Sequence, residues 1–193
     1  MVQGVSNPSK DKGDRAEREA VVALVELAGD LVDVHKAKRN LGAGRKEDES
    51  DLSLFTDVAI QVKFWANLSQ SIREAASGVI VQASNVGKPL GVGMVKIHGV
   101  RGAGVRWLAC VADESHWPVG ELAGPVHEFA MVSKMVTWLR TDTAPYGFMA
   151  YPREQRFARL TSGGTPVLVA PVEAWVAAYR SSRSGLARVT RVA

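Results

Sequence analysis

One cysteine, Cys110, stands in a chain of 193 residues. A single thiol excludes an intramolecular disulfide framework and a cysteine metal cage, and it fits a reducing compartment. No apolar run approaches the ~18 residues that a membrane span needs. The amino-terminal stretch "MVQGVSNPSKDKGDRAE" has no apolar segment of the secretory type, so no signal peptide is expected. Aromatic residues are sparse at 7%, and neither charge sign dominates, with 24 Lys and Arg against 20 Asp and Glu. The net charge of +4 is a mild excess that points towards a polyanionic partner without identifying one. The four histidines, His35, His98, His116 and His127, show no metal-ligand spacing. "GVRGAG" lacks the following helix and lysine of a phosphate loop.

What is present is enough for a core. Hydrophobic residues make up 46% and charged residues 23%, the composition of a globular domain. Residues 1–12 are polar and rich in small residues, and are expected to form a flexible arm. Helical periodicity runs from Asp14 to Ala28, with Gly29 as a C-cap. "DLVDVHKAK" has the pattern of a strand, and the charged, glycine-rich "RNLGAGRKEDES" that of a long loop. "DLSLF" and "VAIQVKFW" are expected as two strands joined by a tight turn. A helix follows, capped by Asn67, with Gln70 at the capping-box position, and stopped by Gly87 and Pro89. "LGVGMVKI" and "VRWLACVA" are further strands. From residue 113 the pattern changes to a helix near 130–140, a hairpin turning at Ser-Gly-Gly, and a last helix entered at Pro171, with a frayed basic tail from about 181. The expected class is α/β, with a core over 13–112 and an α/β extension of unknown role over 113–193.

Two polar features stand out. Ala20, Val21, Leu24 and Ala28 form an apolar stripe on the first helix, and Glu17 falls within it. A carboxylate aimed at a core needs a partner or a task. Asp14 and Glu17 have capping-box spacing, and on the helix alone the cap is the simpler account. In "IQVKFW", Gln61 and Lys63 share the face opposite Val58, Ile60, Val62 and Phe64, because side chains alternate along a strand. A three-residue loop (Phe55, Thr56, Asp57) sets Asp51 opposite Gln61 on that same face; a two-residue loop turns Asp51 to the apolar side. The odd register is the expectation. An aspartate and a carbonyl oxygen suit a hard divalent cation, and a lysine beside them can orient a water or offset charge on a phosphorane.

"KGDRAERE", "SDL", "IQVK" and the helix ending "NVGKPLGVGMVKI" together resemble the PD-(D/E)XK nuclease superfamily, and within it the archaeal-type and phage-encoded Holliday junction resolvases. The resemblance covers residues 9–112. It implies a restriction-endonuclease-like αβββαβ core with a mixed central sheet flanked by helices. By motif position, Glu17 matches the helix carboxylate, Asp51 the metal-binding aspartate, Gln61 the second-strand ligand and Lys63 the catalytic lysine. The implied metal is Mg²⁺, with Mn²⁺ as a substitute, held by Asp51, Gln61 and Glu17. The chain departs from the family in carrying Gln61 where a glutamate is usual; Gln-x-Lys forms occur in Mrr-like restriction nucleases.

The resemblance implies a structure-selective endonuclease that resolves four-way junctions in recombination or replication. It would be a homodimer whose two sites cut opposed strands, in the cytoplasm of a bacterium or a phage-infected host. Two alternatives stand beside it: an Mrr-like nuclease on linear or modified duplex DNA, and a non-catalytic DNA-binding module on a nuclease fold. Arg15, Arg18, Lys36, Lys38, Arg39, Arg45 and Lys46 are expected to form a phosphate-binding rim, with Gln70 and Arg73 near the scissile phosphate. A solvated basic surface and ordinary capping explain the same residues without DNA. Trp107, Trp138 and Trp175 are expected in the core, and Trp65 either covers core or stacks on a base.

Overall fold

The structure, a computed structural model, describes residues 8–32, 38–39, 50–98, 105–118, 122–140 and 151–189. Helix α1 (Pro8–Ala28) opens the described chain. Residues 8–12, expected within the arm, are therefore helical; proline has no N–H to leave unpaired in a first turn and already holds helical φ. Strands β1 (Lys38–Arg39), β2 (Leu52–Ser53) and β3 (Val58–Lys63) follow, then α2 (Leu68–Asn85), β4 (Leu90–Lys96) and β5 (Trp107–Val111). Of the strand expected over "DLVDVHKAK", ending near His35 or Lys36, residues 30–32 form a turn and 33–37 lie outside the described residues; β1 begins beyond it, at Lys38.

Among the described residues one mixed sheet of eight strands runs in the order β1-β2-β3-β4-β5-β8-β7-β6, where β6 is Val126–Phe129, β7 Phe157–Leu160 and β8 Val167–Pro171. β1, β2 and β3 are antiparallel neighbours, and β3 and β4 are parallel across the α2 connection. The segment from 113 onwards is an extension of the same sheet, since β8 pairs antiparallel with β5. β7 and β8 form the hairpin expected at Ser-Gly-Gly, where Gly163 and Gly164 take φ of 78° and 122°, open to glycine and strained for other residues.

Helices cover both faces. The buried stripe of α1 is Ala16, Ala20, Leu24 and Ala28, and it packs with α4 (Val172–Val189) on the face that holds Ile60, Val62, Val92 and Met94. On the opposite face, Ile72, Ala75 and Ala76 of α2 pack with α3 (Val132–Arg140) against Val95, Leu108, Cys110 and Val169. Strand alternation alone sends successive residues of β3, β4 and β5 to these two layers. Trp107, Trp138 and Trp175 are buried, as expected. The basic tail does not fray at 181: α4 continues to Val189. Among the described residues no helix is long and apolar enough to cross a membrane.

Candidate functional site

The β2–β3 hairpin takes the odd register: Leu52 pairs with Ile60. Regular pairing would next set Asp51 against Gln61. Instead the ladder breaks there. The Asp51 N–H donates to Ile60 O over 2.9 Å, the residue that already pairs with Leu52, and Asp51 Oδ2 accepts the Val62 N–H over 2.7 Å. The carboxylate thus takes the place of a backbone carbonyl on the ladder and is held against β3 between Gln61 and Lys63. Ser50 Oγ donates to Leu52 O over 3.1 Å and braces the same break.

Gln61 departs from expectation. Its side chain is 6% exposed and lies against α2, where Gly78 leaves room for it; a Cβ at Gly78 would run into Oε1. That Oε1 atom is buried with no hydrogen-bond partner among the described residues. β3 pairs Gln61 with Gly93 of β4, and a Cβ at Gly93 would come within 2.7 Å of the Ala75 backbone, so α2 rides unusually low over these two strands. The close approach is what encloses the amide.

Glu17 is half-buried, and on the helix wheel it falls between Leu24 and Ala28, on the face that α1 turns to the sheet. α1 covers the sheet face opposite the one that Gln61 occupies. The Lys63 ammonium stands 5.6 Å from the centre of the Trp65 ring, at the end of β3. The structure therefore brings Asp51 to the backbone between Gln61 and Lys63, and turns Glu17 and the Gln61 amide towards different helical layers. All three proposed donors are hard oxygens of the kind Mg²⁺ takes. As a converging three-donor set, however, Glu17, Asp51 and Gln61 do not fit the ion. Among the described residues no group of three His, Cys, Asp or Glu side chains is placed to hold a metal.

The expected phosphate rim divides. Arg15 and Arg18 are exposed on α1, and Arg15 Nε donates to Glu19 over 2.9 Å. Lys38 and Arg39 form β1, while Lys36, Arg45 and Lys46 lie outside the described residues. Gln70 is exposed, but its Nε2 bonds Glu74 at 3.1 Å in place of the reciprocal capping-box bond; the Asn67 side chain caps α2 alone, accepting the Gln70 N–H. Arg73 does not face the β3 end. It donates to Thr165 O over 2.8 Å and lies against Gly163, tying α2 to the β7–β8 turn.

Sequence reasoning missed the clamp on the hairpin's turn. Lys88 Nζ donates to Phe55 O (3.0 Å) and Val58 O (2.8 Å), and burial pushes its ammonium pKa down. From α4, the Tyr179 hydroxyl donates to Asp57 Oδ1 and Arg183 pairs with Asp57. The Phe55 ring packs edge-on against Trp175 and Tyr179. Burial, reinforced by the bond to Asp57, pushes the Tyr179 phenol up to about 12. These partners come from distant parts of the chain and carry no local signal, apart from a polar tyrosine and arginine spaced i, i+4 on the last helix.

Comparison with protein-family models, curated proteins and solved structures returns no significant match to this chain.

Proposed function

We propose that this chain is a structure-selective DNA endonuclease of the Holliday junction resolvase type, acting on four-way junctions as a homodimer. The observation that carries the reading is the Asp51 carboxylate seated on the Val62 N–H between Gln61 and Lys63. The element order α1-β1-β2-β3-α2-β4, with β1 to β3 antiparallel and β4 parallel to β3, supports it, being the order of the αβββαβ core. The reading calls for Mg²⁺ or Mn²⁺, towards which Asp51 could offer its second carboxylate oxygen, Oδ2 being held by the Val62 N–H. The Gln61 amide and Glu17 belong to opposite faces of the sheet, so the two do not share one ion with Asp51. Lys63 supplies a positive charge at the end of the strand, where it can pair with a phosphate. A two-fold assembly matches the two-fold symmetry of a four-way junction.

The test is an immobile four-way junction incubated with the purified chain and Mg²⁺ or Mn²⁺. Paired nicks on opposed strands, lost in Lys63→Ala, are expected. Absence of nicking by the wild type in both metals sinks the hydrolytic reading. Equal cutting of linear duplex would favour an Mrr-like activity instead.

The enclosed Gln61 amide favours a second reading, a nuclease-fold module that binds branched DNA without cutting it. Tight junction binding with no nicking in either metal is its signature.

A further inference from the structure

β3 ends at Lys63, and the next two residues are aromatic. Their rings are not treated alike. Phe64 is dressed on several sides: His98 stacks on it at 4.3 Å and 20°, Lys12 Nζ lies 4.7 Å from its centre and Lys96 Nζ 5.0 Å. Trp65 is 37% exposed, one of four large hydrophobic residues so exposed among those described. Its backbone, by contrast, is held at both ends. The Trp65 N–H donates to Ser71 Oγ over 3.1 Å, and His98 Nε2 lies 2.7 Å from Trp65 O. Ser71 is itself buried in the first turns of α2. The indole is thus presented to solvent from a segment that is pinned, with the Lys63 ammonium 5.6 Å from its ring centre.

An exposed indole carried on a pinned backbone, with one ammonium beside it, matches one ligand chemistry closely: an unpaired nucleobase with its flanking phosphate. The base offers a π-face to the ring, and the phosphate an anion to the lysines. A paired base inside a duplex offers no such face. The charge balance agrees: Lys63 stands at the Trp65 ring and Lys12 at the neighbouring Phe64 ring, while Lys96, also at Phe64, is paired with Glu19.

We infer that Trp65, flanked by Lys63, is a stacking platform for an unpaired nucleobase, so that the β3 end takes single-stranded or locally unstacked nucleic acid. This deepens the junction reading above by naming what is recognised at the branch point, and it rests on that reading for the branched substrate only. Stacking on the ring and the charge of Lys63 are separable contributions.

The experiment measures binding of the full chain, without metal, to fluorescein-labelled oligothymidylate, to a blunt duplex of equal length and to an immobile four-way junction carrying 2-aminopurine at the branch. Wild type, Trp65→Ala, Trp65→Phe and Lys63→Ala are compared, each checked by circular dichroism and thermal melting. Trp65→Ala is expected to lose about tenfold in affinity for the oligothymidylate and the junction, and to leave duplex binding unchanged. It should also abolish the wild-type change in 2-aminopurine emission. Trp65→Phe should keep most of the affinity, and Lys63→Ala should weaken binding while flattening its salt dependence. Equal affinity of folded Trp65→Ala and wild type for both unpaired ligands overturns the platform, and with junction binding intact it leaves the junction reading standing. Oligothymidylate binding that needs Trp65, with no preference for the junction over duplex, upholds the platform and removes the branched substrate. A wild type that binds none of the three ligands overturns both.

Discussion

The Tyr179 hydroxyl donates to Asp57 Oδ1 over 2.7 Å, joining residues 122 apart in sequence. It fastens the last helix to the turn of the hairpin that carries Asp51, Gln61 and Lys63. Arg183 closes the group, donating to the Tyr179 hydroxyl over 2.9 Å and pairing with Asp57. The carboxyl-terminal part of the chain therefore has a definite relation to the candidate site: it holds the hairpin at the end opposite Lys63.

Tyr179→Phe tests that relation with little change in packing. The ring stays stacked on Trp175, at 5.2 Å and 8°, and only the hydroxyl is lost. A loss of about 1.5 kcal/mol in unfolding free energy is expected, the low end of the range for a hydrogen bond to a charged group. Urea denaturation measures it; an unchanged midpoint would show that Arg183 alone holds Asp57.

Gly78 sits in mid-helix, where glycine costs about 1 kcal/mol relative to alanine. The Gln61 amide explains why alanine does not replace it: the new methyl would run into Oε1. Gly78→Ala is expected to destabilise by about 1–2 kcal/mol, overpacking outweighing the gain in helix propensity. In a Gln61→Ala background the same substitution should stabilise by up to about 1 kcal/mol. A double-mutant cycle by denaturant unfolding reads the coupling; additivity of the two substitutions would refute the contact.

Gln61→Glu distinguishes a metal ligand from a packed amide. Against the α2 backbone an unpaired carboxylate is desolvated, at a cost of about 3 kcal/mol at neutral pH. Burial would raise the carboxyl pKa above its unfolded value, so the folded state would hold the extra proton. The penalty is then absent below the unfolded value, grows as pH rises from it towards the raised folded value, and is constant above that. Thermal melting from pH 4 to 8 should show that slope, with Mg²⁺ making no difference. Recovery of stability on adding Mg²⁺ would show instead that a carboxylate at this position completes an ion site.

Glu19 behaves in the opposite sense. The hydrogen bond from Lys96, aided by Arg15, holds its carboxyl below the ordinary value of 4.5. A depressed folded pKa gives stability that is present above the unfolded value and lost as pH falls through the folded one. The difference in melting temperature between wild type and Glu19→Gln should be positive at neutral pH and shrink below about pH 4.5. Partial exposure keeps the difference small, and added salt should reduce it further.

Cys110 should be chemically silent in the native state. Its thiol is buried between the carbonyls of Gly93 (3.3 Å) and Ile72 (3.5 Å), and burial pushes its pKa far above the usual thiol range. Reaction with a chromogenic disulfide at neutral pH is expected only at the rate of unfolding. Rapid labelling of native protein would contradict that placement.

Much of the architecture was legible because it rests on local rules. The alternation in "VAIQVK" marked β3 and separated Gln61 and Lys63 from Ile60 and Val62. Asn67 marked the start of α2, and glycines at 163 and 164 marked a turn. The register pairing Leu52 with Ile60 was not fixed by a local rule: the sequence allowed two loop lengths, and the odd one was expected because it gathers Asp51, Gln61 and Lys63. The site was legible less completely. A bulge-like break at Asp51, the low ride of α2 over Gly93 and the placement of α1 on the far face depend on groups remote in sequence.

By itself, then, the sequence determined which residues alternate, where elements begin and stop, and which polar side chains leave the apolar pattern. Those follow from backbone periodicity and capping, which act over a few residues. Only the tertiary structure decided whether Glu17, Asp51 and Gln61 converge, that Arg73 serves the β7–β8 turn, and that α4 clamps Asp57. Such outcomes depend on which helix covers which sheet face and how closely it packs, and these are settled jointly by the whole core.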